Sequence, residues 1–447
     1  MTGRVLRIEL RRSSAWPTGL VIALLGIAGL LSLVPTNQDG LWDAQWTLLA
    51  SFQRIMLVVL WPLTLGAGAW QARRDRRSKA EELLGTTARP SWRRVLPTAF
   101  AMALCLVVGY VLIFAVGAVN VAGTTDYFSS NWLPVALVGA LSLVAAGWLG
   151  LGVGRLVPSV YTPPVLVVLG FLVLLVPIQL SKGDAPGPES LLGPGFTTTV
   201  REFQMIAPAV DLGQFVWFFG LALGGLLLAL FGRRIASVTA VVPVVLALIV
   251  ALPIFSAAPA GGVQADPAAS AEVCTHDGGP TVCVTASHGQ DLATLVGPAR
   301  QALAALGKLP NPPSSVHEVP DDRPGPQPAD QVWFDAANHT AGQGWDAKSG
   351  AELAAKILAG AGTKPCDQGN SMDRLTYEVR PIVAAWLIGQ YPAPGMAVED
   401  PDENAERTAL WQALAALPKA AQAQRVAAVR QAGLACGDVG AALSGGH

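Results

Sequence analysis

Charged side chains are scarce in this chain. Asp, Glu, Lys and Arg make up 14% of its 447 residues, against about 25% in an average soluble domain. A surface of that size facing water throughout needs more charge, so the composition excludes a wholly soluble enzyme. With 52% hydrophobic residues, it equally excludes a disordered chain and a coiled coil. No GxxxxGK[ST] segment occurs, so no P-loop is present to cradle phosphate. The five histidines form no HExxH, and Ser287-His288 lacks a Gly-x-Ser-x-Gly setting, which removes the usual zinc-hydrolase and nucleophile-elbow signatures. The five cysteines include no CxxC pair, the common spacing of a four-cysteine zinc site. The expectation is a non-enzyme with no catalytic residue, no metal and no cofactor of its own, and with no nucleic-acid partner.

What is present divides into two halves of opposite sign. Residues 1–256 carry 18 Lys and Arg against 11 Asp and Glu, and residues 257–447 carry 12 against 20. Seven apolar stretches in the first half are each about the 20 residues that cross a bilayer: 16–35, 49–70, 95–122, 133–156, 160–180, 212–231 and 235–256. None has a charge near its centre. Arg54 lies toward the outer end of the second, from where its side chain is expected to reach the interface. With a cytoplasmic N-terminus, the inner segments hold 15 Lys and Arg, including Arg4, Arg7, Arg11, Arg12, Arg155, Arg233 and Arg234, while the outer loops hold only Lys182 and Arg201. That asymmetry sets the orientation. Seven crossings then put residues 257–447 outside a bacterial cell membrane.

Cysteine usage agrees. Cys105 falls in the third stretch, and Cys274, Cys283, Cys366 and Cys436 all follow residue 257. An even number outside the membrane reads as two disulfides. Residues 273–284 form two short β-rich runs around Gly278-Gly279, so Cys274–Cys283 would staple a hairpin, leaving Cys366–Cys436 by elimination. Four cysteines allow three pairings. Residues 257–272 read as an Ala/Pro/Gly tether and 309–330, with seven prolines, as a loop or extended crossing. Helices are expected over 292–309, 351–360, 372–390 and 405–433, the last split at Pro418. The acidic run 399–403 reads as a solvated helix start with Asp402 near the cap, and the histidines as solvent-exposed. The expected fold is therefore an α-helical polytopic membrane protein, a six-helix bundle over 1–234 plus a seventh span over 235–256, followed by a linker at 257–272 and a small disulfide-stapled α+β domain over 273–447.

One inner loop stands out. Residues 71–94, QARRDRRSKAEELLGTTARPSWRR, carry eight basic and three acidic side chains, enough to hold them at an anionic leaflet. Within it, Ser78 to Glu81 has capping-box spacing and Gly85 closes a short helix. This loop, the basic N-terminus and the fourth stretch ending GWLGLGVGRLVPS together resemble the ABC-2 type exporter permeases of GC-rich Gram-positive bacteria, over roughly residues 1–232. The resemblance implies a six-span half-transporter that pairs with a second copy or a related permease, and a separate cytoplasmic ATPase that binds ATP and Mg. It implies that Lys79, Glu81, Glu82, Leu83 and Leu84 form the helix that couples to that ATPase, and that 181–211 is an extracellular segment. The seventh span and the outer domain depart from that pattern.

Spans without central charge argue against proton- or sodium-coupled transport and fit an amphipathic or hydrophobic cargo. Gly150 and Gly154 have GxxxG spacing, so they are candidates for a dimer seam as well as for ordinary helix packing. The alternative to an exporter is a non-transporting membrane anchor that presents a sensory or ligand-binding outer domain.

Overall fold

The computed structural model describes residues 13–33, 45–77, 92–180, 190–195, 200, 203–231, 233–275, 277–319, 326–334, 350–365, 374–398 and 400–445. The chain forms two compact units, Met1–Asp266 and Pro267–His447. The coupling residues Lys79, Glu81, Glu82, Leu83 and Leu84 lie outside the described residues, as does Cys366.

The first unit is a helical bundle. Its helices are α1 (Ala15–Leu33), α2 (Trp46–Ile55), α3 (Leu57–Arg77), α4 (Trp92–Thr124), α5 (Trp132–Leu156), α6 (Thr162–Leu180), α7 (Pro208–Leu230) and α8 (Arg233–Ser256). A strand β1 (Gln204–Ile206) precedes α7, and β2 (Val263–Ala265) follows α8. Leucine, valine and isoleucine cover the helices nearly all round, as a lipid-facing bundle requires. Large apolar side chains stand exposed on α1, α4, α6 and α8, among them Val168, Val173, Leu246 and Ile249.

Five helices are long and apolar enough to cross a membrane, or six if α2 and α3, bent by 52° against each other, count as one span. This makes the chain a membrane protein. The expected count of seven is not reached among the described residues. The fifth stretch forms α6, Thr162–Leu180, 19 residues long, which at about 1.5 Å per residue reaches about 28 Å, close to a core about 30 Å thick; its described side chains are those of Thr162–Leu175.

Helix α5 lies at the centre. Gly150 and Gly154 let α3 approach it: a methyl group on Gly150 would overlap the Leu65 carbonyl, and one on Gly154 would stand 2.8 Å from the Ala69 carbonyl oxygen. Of the two readings offered for these glycines, this is ordinary helix packing. The small residues are spent on a close contact within the chain, where both are buried. On another side Gly152 meets Gly225 of α7.

The two ends of the bundle differ. At one, Ser14 donates its amide to Gln71 Oε1 of α3 over 2.9 Å, and Arg155 Nη1 donates to the Ala229 carbonyl at the close of α7 over 3.2 Å. At the other, β1 and β2 pair antiparallel, with Met205 opposite Gln264, and Asn131 donates to Asp266 over 2.9 Å. The unit therefore begins and ends at opposite ends of the bundle. Part of the expected 257–272 tether is built into this ribbon.

The second unit carries a four-stranded sheet in the order β3 (Glu272–Cys274), β4 (Val282–Thr285), β5 (Ser315–Glu318), β6 (Gln331–Phe334). The first pair is antiparallel, and the β4–β5 and β5–β6 pairs are parallel. One face, with Val282, Val284, Val316 and Val332, packs against α9 (Leu292–Leu306), α10 (Gly350–Leu358) and α11 (Arg374–Ile388). Helices α12 (Pro401–Ala415), α13 (Lys419–Leu434) and α14 (Val439–Ser444) complete the α+β fold. The α12–α13 break at Pro418 falls where expected. The N-cap of α12 is Asp400, which accepts from the amides of Asp402 and Glu403, so Asp402 lies near the cap, in the first turn, as expected. The Cys274–Cys283 disulfide is present, and its two residues are direct cross-strand partners. Cys436 is also disulfide-bonded.

Because Gly150 is filled by a neighbouring backbone while Gly123 faces open space, Gly150→Leu is expected to destabilise the bundle by about 1–3 kcal/mol, the usual cost of overpacking, and Gly123→Leu to leave it unchanged. Thermal unfolding of both variants in detergent checks this contrast.

Candidate functional site

The most polar point of the membrane unit is Arg54, fully buried in the last turn of α2, beside the 52° bend into α3. A guanidinium held away from water needs partners for its donors. Arg54 Nη1 lies 3.4 Å from Asp211 Oδ1. Its Nη2 donates to Gln214 Oε1, and Nε and Nη2 both donate to the Pro194 carbonyl over 3.3 Å. Gln214 passes the network on, its Nε2 donating to the carbonyls of Leu191 over 2.8 Å and Gly193 over 3.2 Å. Trp217 Nε1 donates to the Leu192 carbonyl over 3.0 Å. The neighbouring Gln53 donates to the Tyr110 carbonyl over 2.7 Å.

Each partner has a local reason for its place. Pro208 occupies the first turn of α7 with its missing N–H in a position that needs none. Asp211 follows in the same turn, where the helix dipole favours a carboxylate. Gln214 is one turn on, on the same face. The segment 190–195 lies over them with its backbone carbonyls turned to these donors. Leu191, Ile206, Val210, Ala251 and Phe255 form the apolar floor around this point.

This cluster overturns two expectations. Arg54 does not reach the interface but is buried in an ion pair. Asp211 does not belong to an extracellular segment but opens α7. The apolar stretches are thus not free of charge, although the pair lies near an end of the bundle. Sequence spacing could not find it, because its members stand 140 to 160 positions apart.

The second unit holds a different buried cluster. Glu318 is 1% exposed. Its Oε1 lies 2.5 Å from His288 Nδ1, and its Oε2 accepts from the Thr285 amide over 2.8 Å and from Thr285 Oγ1 over 2.9 Å. Ser287 Oγ lies 3.0 Å from Thr285 Oγ1. His288 is therefore not the solvent-exposed histidine expected. The carboxylate ties the end of β4, the turn that follows it and β5 together. Two arginines hold other joints. Arg407 pairs with Glu378 over 2.7 Å and with Glu403 over 2.9 Å. Arg430 donates to the carbonyls of Ala361, Ala329 and Gln331, and burial lowers its pKa to about 10.

Removing one partner of a buried pair strands the other charge, at about 3–5 kcal/mol. Arg54→Met and Asp211→Leu are each expected to lower the unfolding temperature of the detergent-solubilised protein sharply. The double variant is expected to recover most of the loss, a coupling that a double-mutant cycle measures. In the second unit, Glu318→Ala is expected to destabilise by a similar amount, and Glu318→Gln by less, because its amide oxygen still accepts from Thr285; urea unfolding followed by tryptophan fluorescence compares them.

Comparison with protein-family models, with curated proteins and with solved structures finds no match to this chain.

Proposed function

We propose that this chain is the transmembrane permease subunit of an ATP-binding-cassette exporter, which moves an amphipathic or hydrophobic cargo outward. A separate cytoplasmic ATPase, carrying ATP and Mg, docks on residues 78–85 and drives it. The chain works as a homodimer or with a related permease in a bacterial cell membrane, its N-terminus inside and its second unit outside.

The observation that carries this reading is the contrast between the two ends of the bundle. One end has the basic sequence that follows Gln71, with Arg155 closing α7. That is the charge pattern of a cytoplasmic face and suits an acidic or amphipathic docking partner. The other end carries the 190–195 segment, hydrogen-bonded to Arg54 and Gln214, and the β1–β2 ribbon. An export path driven by work done at the inner end suits this layout. The bundle also begins and ends at opposite ends, which accords with the second unit lying across the membrane from the N-terminus.

The Arg54–Asp211 pair does not turn the chain into an ion-coupled carrier. A relay carboxylate faces the transported ion or a water-filled path, whereas Asp211 is held against Arg54 beside the 190–195 segment. The pair acts as a lock on the outer segment. The lack of a P-loop means that any ATP hydrolysis is the work of another polypeptide, and differential binding of that ATPase to inward- and outward-facing states supplies the bias.

Co-purification of the chain with a P-loop ATPase encoded by a neighbouring reading frame tests the reading. Replacing Glu81 and Leu84 with lysine is expected to abolish cargo export from reconstituted vesicles while ATP hydrolysis continues. Unchanged export in that variant, or no ATPase partner at all, would instead identify a membrane anchor presenting the outer unit.

A further inference from the structure

The outer corner of the four-stranded sheet brings together four side chains able to bind a metal ion, two of which are held in a disulfide. Cys274 and Cys283 face each other across β3 and β4. Glu272 lies two residues before Cys274, so it shares that face of the sheet. His317 on β5 is the register partner of Cys283, and neighbours in register share a face as well. The donor atoms of Glu272, Cys274 and Cys283 all lie within 4.8 Å of one another. His317 Nδ1 lies 3.4 Å from Glu272 Oε2.

Tetrahedral zinc holds its ligands at about 2.0–2.3 Å, which puts the donor atoms about 3.3–3.8 Å apart; the His317–Glu272 distance already has this value, and the two sulfurs, bonded to each other in the disulfide, must separate on reduction to reach it. The orientation of His317 is informative. Its Nε2 lies 3.1 Å from Ser315 Oγ, so when Nδ1, on the Glu272 side of the ring, gives its lone pair to an ion, the proton moves to Nε2 and Ser315 Oγ is placed to accept it. A hydrogen bond on the far nitrogen is how metal-bound histidines are fixed in one tautomer. Cys283 is 1% exposed while the Glu272 side chain is 37% exposed. The site is walled on the sulfur side and open on the carboxylate side, which gives an ion a way in.

We propose that reduction of the Cys274–Cys283 bond converts this corner into a four-ligand site for zinc, built from Glu272, Cys274, Cys283 and His317. The S–S bond takes two electrons and two protons from a dithiol reductant, which is itself closed to a disulfide. Two thiols result. Binding of the ion then displaces their protons to solvent, and the thiolates, an imidazole and a carboxylate complete a set whose softness suits zinc. The disulfide and the metal are alternative staples for the same β3–β4–β5 junction, selected by the thiol redox state outside the membrane. A search for CxxC or HExxH spacing does not see such a site, because three adjacent strands supply its ligands.

The test uses the full-length protein in detergent, reduced with a phosphine in place of the dithiol and titrated with Co²⁺ as a coloured substitute for zinc. One equivalent is expected to give the near-ultraviolet thiolate-to-cobalt band and the visible bands of a tetrahedral ion. The oxidised protein is expected to give neither. Cys274→Ser/Cys283→Ser, which keeps Cys105, Cys366 and Cys436, is expected to abolish the bands. Ser315→Ala is expected to weaken binding roughly tenfold, as loss of an outer-shell partner does, and His317→Ala and Glu272→Gln by more. If reduction alone loosens the unit, zinc is expected to restore its unfolding temperature in the wild type and not in His317→Ala. Absence of the bands in the reduced wild type, their survival in the double cysteine variant, or wild-type affinity in His317→Ala would overturn the proposal.

Discussion

The burial of one guanidinium constrains the membrane unit more than any other contact. Arg54 lies in a bundle whose surroundings offer no water, so its donors must be met by protein. Meeting them brings together three parts of the chain that also share an apolar cluster through Ala50, Leu191 and Val210. These are the bend between α2 and α3, the first turn of α7, and the carbonyls of 190–195. An apolar side chain at this position would let all three drift, because lipid is as good a solvent for leucine as the bundle interior is. A charge in lipid cannot be left unpaired, so the geometry is specified by the cost of every alternative.

The two units rest on different physics, and the sequence betrays them unequally. Helices in the second unit are legible because amphipathic periodicity and proline breaks are local signals; α9, α10, α11 and the α12–α13 pair all fall close to the expected positions. The Cys274–Cys283 staple is legible for the same reason, since a Gly-Gly turn sets the distance between its halves. The strands β5 and β6 are not. They flank a proline-rich crossing, and only their pairing with β4 across α9 makes them a sheet. Residues Glu318 and His288 show the same limit, being 30 positions apart and joined only by the parallel register of β4 and β5.

In the membrane unit the apolar stretches mark most of the helices, but hydropathy is blind to what each helix meets. It leaves Gly150 and Gly154 open between a seam for another molecule and packing within the chain, and does not say that α3 is the helix packed there. It assigns Asp211 to a loop because a carboxylate lowers the local average, although the helix dipole and Arg54 make it a member of α7. It also counts the α2–α3 segment as one straight span. The bend is not a propensity effect of one residue. It accompanies a polar side chain that must turn inward at that level.

The β1–β2 ribbon bears on how α7 and α8 are held against each other. Helix α7 ends at Leu230 and α8 begins at Arg233, so the two are linked closely in the chain at one end and by this ribbon at the other. Neither helix can slide along the other without breaking strand pairing. Strand pairing thus anchors the last residues of the first unit beside the start of α7, and the position of that helix is tied to the chain at both of its ends.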